Sequence, residues 1–70
     1  RGVIVTDVQP GSPAAEADIR SGDIILEVGR RQQIKNLADF RDAMKKSNIK
    51  QGVTLLVKRE NVTFFATLKE

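Results

Sequence analysis

The feature that most constrains this chain is a pair of alternating runs near its C-terminal end. Val53, Leu55 and Val57 alternate with Thr54, Leu56 and Lys58. After Glu60 and Asn61 the pattern resumes as Val62, Phe64, Ala66 and Leu68 against Thr63, Phe65 and Thr67. Successive side chains of a strand point to opposite faces, so a period of two marks each run as a strand, and the brief polar interruption marks a tight turn. The two runs form an antiparallel hairpin.

The upstream segments supply what that hairpin packs with. Gly2 to Val8 is rich in β-branched residues, with Val3 and Val5 on one face and Ile4, Thr6 and Val8 on the other, and this predicts a largely buried strand. Pro10 and Gly11 end it. Ser12 followed by Pro13 reads as a helix start, a hydroxyl N-cap before a proline whose missing N–H costs nothing there, so a short helix is expected over Ala14 to Ala17. Gly22 and Asp23 turn the chain into a strand, Ile24 to Val28, in which Ile24, Leu26 and Val28 are expected to share the buried face. A brief extended piece follows around Gln33 and Ile34.

Asn36 is placed to cap the one substantial helix, Leu37 to about Lys46, with Asp39 in the first turn and Lys45 and Lys46 in the last, as the helix dipole favours. Phe40, Ala43 and Met44 line one stripe of it. Phe40 is expected to pack against Ile24, Leu26, Leu55 and Val57. The order of elements predicts one α+β domain spanning residues 1–70, a small curled antiparallel sheet of four to five strands capped by two helices.

Composition narrows the function. The 70 residues contain no cysteine and no histidine, which removes disulfides, thiolate metal sites, histidine-based triads and the commonest zinc ligand. Ser12, Ser21 and Ser47 therefore have no histidine partner, and neither catalysis nor any metal or cofactor is expected. The net charge of +3 is mild, the basic residues are spread among acids, and the only aromatics are Phe40, Phe64 and Phe65. A nucleic-acid surface would concentrate its cations and interleave aromatic side chains, so no nucleic-acid partner is expected. No apolar run approaches the ~20 residues of a membrane-spanning helix, so no direct membrane insertion is expected, and any targeting signal is expected to lie elsewhere in a longer protein.

The run Gly2-Val3-Ile4-Val5, then Pro10-Gly11-Ser12-Pro13-Ala14-Ala15, then Gly22-Asp23-Ile24-Ile25-Leu26-Glu27-Val28 resembles the PDZ signature. Downstream, Asn36 to Arg41 and Leu55 to Arg59 are similar to the C-terminal PDZ repeat of bacterial HtrA/Do-type, DegP-like serine proteases. Three positions depart from the pattern. Asp18 stands where the family has a glycine closing the short helix, Gly29 replaces an asparagine, and Gln32-Gln33 stands where a proline is frequent. The resemblance also implies a carboxylate-binding loop and strand before the first strand here. None precedes Arg1, which predicts a sheet lacking that strand and half of the usual groove.

What the resemblance implies is a peptide-binding module that takes extended or C-terminal segments by strand addition, from a parent protease of the periplasm or cell envelope acting in protein quality control. Its expected partners are protein C-termini or unfolded segments and other domains or subunits of the parent. On the second helix, i, i+4, i+7 spacing selects Leu37, Arg41 and Met44 as groove residues. Arg41 is suited to an acidic tail, Met44 is divided between core and groove, and a purely structural role is the alternative for each. Val3, Ile4 and Val5 form the expected exposed edge strand. The competing reading is an assembly or regulatory module that binds no substrate tails, or a PDZ domain of a membrane-embedded metalloprotease or secretion component.

Overall fold

A computed structural model describes residues 2–29 and 32–70. Its elements run β1 (Val3–Ile4), α1 (Pro13–Glu16), β2 (Ile24–Val28), β3 (Gln32–Gln33), α2 (Leu37–Lys45), β4 (Val53–Arg59) and β5 (Val62–Leu68). All pairings are antiparallel, in the order β1-β2-β4-β5. Because β4 occupies one flank of β2 from Ile24 to Val28, the short strands β1 and β3 share the other flank.

The helices begin where side-chain chemistry starts them. Ser12 Oγ accepts from the Ala15 N–H at 3.2 Å, and Pro13 opens α1. Asn36 Oδ1 accepts from the Asp39 N–H at 2.9 Å, while Asp39 Oδ2 accepts from the Lys35 N–H at 3.1 Å, so the first turn of α2 is tied at both ends. α1 is followed by Asp18 at φ 64, a left-handed conformation that a side chain larger than glycine's adopts at a cost.

One face of the sheet and the helices enclose the core of Ile19, Ile25, Val28, Ile34, Ala43, Val53, Leu55, Val57, Ala66 and Leu68. The hairpin lies as its alternation predicts. Val53, Leu55 and Val57 point inward, opposite Leu68, Ala66 and Phe64, and Glu60 takes φ 56 in the connecting turn.

Three expectations need correction. The β2 alternation is broken by a bulge, since Ile25 pairs with Val57 but Glu27 pairs with Leu56, leaving Leu26 as an extra residue. Ile25 and Val28 are therefore the buried pair, and Ile24 and Leu26 turn to the other face. The first strand is short and not largely buried: Ile4 is 63% exposed, because β1 is an edge strand and its ladder ends just after Val5 donates to the Asp23 carbonyl at 2.8 Å.

Phe40, third, does not meet Ile24 and Leu26, which lie beyond the bulge on the outer face, and packs half-buried near Ile25 and Leu55. Phe40→Ala is therefore expected to cost about 2 kcal/mol, below the ~3–5 kcal/mol of a fully buried phenylalanine. Urea unfolding checks this, and a loss as large as that for a fully buried ring would place Phe40 inside the core.

Candidate functional site

Between β1 and α2 runs an apolar groove of about 240 Å³. Val3 and Val5 form one wall, Leu37 and Phe40 the other, and Ile25 and Leu55 lie at its floor. The α2 wall follows from helical geometry, because residues three apart share a face and the Asn36 cap fixes where the first turn begins. Asp7 is the one ionisable group among the described lining residues.

The strand beside this groove has an open edge. Val5 donates toward β2, so alternation along an antiparallel ladder turns the N–H and C=O of Ile4 the other way. Among the described residues no strand pairs with them. The edge is short: beyond it, the Val5 carbonyl accepts from the Gly22 N–H at 2.7 Å, and the Thr6 carbonyl from Ser21 Oγ at 3.1 Å. Gly2, at φ 91, precedes this edge, and a Cβ there would lie 2.7 Å from both Ile24 Cγ2 and the Ile25 carbonyl oxygen. Only glycine lets the chain lie so close to β2.

Of the residues selected from the sequence, Val3, Ile4, Val5 and Leu37 line the groove together, with Leu37 49% exposed. Arg41 is exposed on α2 and Met44 is half-buried against the core, and neither is among the residues lining the groove. Phe40 does line it. The i, i+4 spacing from Leu37 passed it over, whereas the i, i+3 spacing reaches it.

The strongest electrostatic feature lies away from the groove. Asp23, 2% exposed, accepts from Arg59 Nε at 2.9 Å and Nη2 at 2.8 Å, and from the Arg20 N–H at 2.9 Å. Arg59 Nη2 also donates to the Asp18 carbonyl at 2.8 Å, and the guanidinium lies 4.9 Å from the centre of the Phe64 ring. The Arg59 hydrogen bonds hold the Asp23 carboxyl below its ordinary range against the opposing effect of burial, and Asp23 in turn raises Arg59. This clamp fastens the loop after α1 to the end of β4. Thirty-six residues separate the pair, and no local pattern announces it. Among the described residues no cluster of carboxylates is arranged to hold a metal ion.

A groove between a short edge strand and a capped helix, on a five-stranded antiparallel sheet in this order, defines a small PDZ-like α+β fold, and the family model described as PDZ domain matches residues 1–69. The chain belongs to the PDZ domain family and is a non-catalytic module. Its relatives are serine proteases of the HtrA and DegP-like kind. They include "Putative serine protease HhoB" of Synechocystis sp., 43% identical over 58 residues, which are 83% of this chain and 14% of that protein. Another is "Probable periplasmic serine endoprotease DegP-like" of Chlamydia pneumoniae, 35% identical over 69 residues, 99% of this chain and 14% of that protein. The chain thus spans about one seventh of the length of these relatives.

Proposed function

We propose that this chain is the peptide-binding and regulatory module of an HtrA-type serine protease of the periplasm or cell envelope, and that it takes extended segments of unfolded proteins by strand addition along β1. The observation that carries this reading is the apolar groove between β1 and α2, walled by Val3, Val5, Leu37 and Phe40. An added strand gains backbone hydrogen bonds whatever its sequence, while alternate apolar side chains enter the space between Val3, Val5, Leu37 and Phe40. The serine protease relatives support the protease parent, and the periplasmic DegP-like relative supports the compartment.

Asp7 at the groove disfavours an anionic group nearby, so internal extended segments suit it better than free C-terminal carboxylates. Titration of isotope-labelled protein with short alternating apolar peptides, as free acids and as C-terminal amides, tests this. The amides should bind at least as well as the acids, shifting the resonances of Ile4, Val5, Leu37 and Phe40, and Leu37→Lys should weaken both. Binding that requires the free carboxylate, or shifts confined to other elements, would overturn the reading.

A further inference from the structure

The wall on the β1 side of the groove is longer than the β1 ladder. Val5, Thr6, Asp7 and Val8 line the groove after Val3 and Ile4, yet only Val3 and Ile4 pair with β2. Past the ladder, the chain is fastened to the turn over residues 20–23. Val5 donates to the Asp23 carbonyl at 2.8 Å, the Gly22 N–H donates to the Val5 carbonyl at 2.7 Å, and Ser21 Oγ donates to the Thr6 carbonyl at 3.1 Å. Among the described residues, the hydrogen bonds of Val5 and Thr6 all reach this turn.

The turn is held from behind by the Asp23 carboxylate. That carboxylate accepts from the Arg20 N–H across the turn, and the Asp23 N–H donates to the Arg20 carbonyl at 3.1 Å. Arg59 then grips the segment at two points, since its guanidinium donates to both oxygens of Asp23 and to the Asp18 carbonyl. Between those points lies Ile19, 4% exposed, which is itself part of the groove's lining. One clamped segment thus carries a residue of the groove and the bonds that hold its wall. Neither Asp23 nor Arg59 lines the groove.

Holding the segment down would not by itself call for a charged pair. Desolvating Asp23 offsets much of what Arg59 returns, so an apolar contact of similar volume would stabilise as well. What two parallel bonds between a guanidinium and a carboxylate add is direction, because they fix the turn in one orientation against β4.

We propose that Asp23 and Arg59 are positioning residues for the groove: by fixing the turn over residues 20–23 against β4, they set where Val5 and Thr6 stand opposite Leu37 and Phe40, and so how closely the groove fits a peptide. This rests on the groove being the peptide site. With the pair broken, the turn shifts and the wall after Ile4 moves with it, while the hairpin stays in place. A peptide that touches both walls binds only the closed form, so its apparent affinity falls with the fraction of molecules that are closed.

Amide hydrogen exchange and peptide titration of the parent, Asp23→Asn and Arg59→Lys test this, with Ile34→Val as a control that loosens the core away from the turn. The probe is a short alternating apolar peptide, acetylated and amidated so that Asp7 meets no terminal charge. In Asp23→Asn the amides of Val5 and Gly22 should exchange at least tenfold faster relative to those of the fully buried Leu55 and Val57. Affinity, counted per folded molecule, should fall about fivefold or more. Arg59→Lys keeps the charge without the paired bonds and should show the same pattern at smaller size, which keeps the test decisive if Asp23→Asn is largely unfolded. Ile34→Val should leave affinity per folded molecule unchanged and Val5 and Gly22 no faster relative to the core. Exchange at Val5 and Gly22 that rises only in step with Leu55 and Val57, or an affinity per folded molecule equal to the parent's in both variants, would overturn the proposal. A parent that binds no such peptide would overturn the peptide reading, a separate outcome, because exchange at Val5 and Gly22 decides without any peptide whether the clamp places the wall.

Discussion

Leu55→Ala is expected to be the most damaging single substitution in the chain, lowering stability by about 3–5 kcal/mol. Leu55 has no exposed surface, stands at the centre of β4, faces Val28 on β2 and Ala66 on β5, and lies at the floor of the groove under Phe40. Its neighbours come from both adjoining strands and the helix, so the lost volume is ringed by elements that are themselves hydrogen-bonded in place and do not collapse into it. A domain of this size has only about 3–5 kcal/mol to lose, so the variant should be largely unfolded at room temperature without denaturant. Phe65→Ser is the control, since a 70% exposed side chain off the core should change stability by no more than about 0.5 kcal/mol. Far-ultraviolet circular dichroism and urea titration of both variants decide the matter. A Leu55→Ala protein that retains a cooperative transition near that of the parent would mean that the sheet repacks around β4.

Asp23→Asn should have the second largest effect, and its size should depend on pH. The buried carboxylate accepts three hydrogen bonds, two of them from Arg59, and losing its charge should cost about 1.5–3 kcal/mol near neutrality. Arg59 is partly exposed and regains water in the variant, which keeps the loss within that range. Because Arg59 holds Asp23 below the ~3.9 of an unfolded aspartate, the unfolded chain takes up this proton first as the solution is acidified. The stabilisation is therefore complete above that unfolded value and is lost as pH falls through the lower native one. Melting temperatures of the two proteins should differ most near pH 7 and converge as the pH falls through the lowered native value of Asp23. A constant offset down to strong acid would show that the hydrogen-bond geometry, and not the charge, carries the effect.

How much of this was legible beforehand depended on whether the cause was local. The hairpin follows from alternation, and the two helix starts follow from Ser12-Pro13 and Asn36, because strand faces and capping bonds are set within a few residues. The β2 bulge is not local: it appears only when β2 is laid against β4, so the strict alternation of Ile24, Leu26 and Val28 misassigned the buried face. The clamp of Asp23 and Arg59 was hidden for the same reason.

Of Leu37, Arg41 and Met44, expected at the groove from the family resemblance and the helix spacing, only Leu37 lines it, together with Val3, Ile4 and Val5, which were expected as an exposed edge strand. Phe40 was assigned wholly to the core, because sequence shows that a side chain is apolar and not how much of it a neighbouring strand leaves uncovered. That β5 ends the sheet was equally invisible. Which strands end a sheet is a property of its order, β1-β2-β4-β5, and an alternating run looks the same at the centre as at the rim.

The bulge at Leu26 also bears on how domains of this kind drift in length over evolution. It acts as a parity switch: Ile24 and Ile25 keep one phase with β4, and Glu27 and Val28 keep the other. Losing Leu26 alone would restore a regular ladder with Ile25 still opposite Val57 and Glu27 still opposite Leu56, whereas losing a paired residue of β2 would slip one half by a single residue and turn it inside out, either the half that carries β1 or the half that carries β3. Lineages descending from such a sequence should therefore be able to lose one residue at Leu26 and keep every strand face, while other insertions and deletions are confined to turns where no strand faces depend on odd and even.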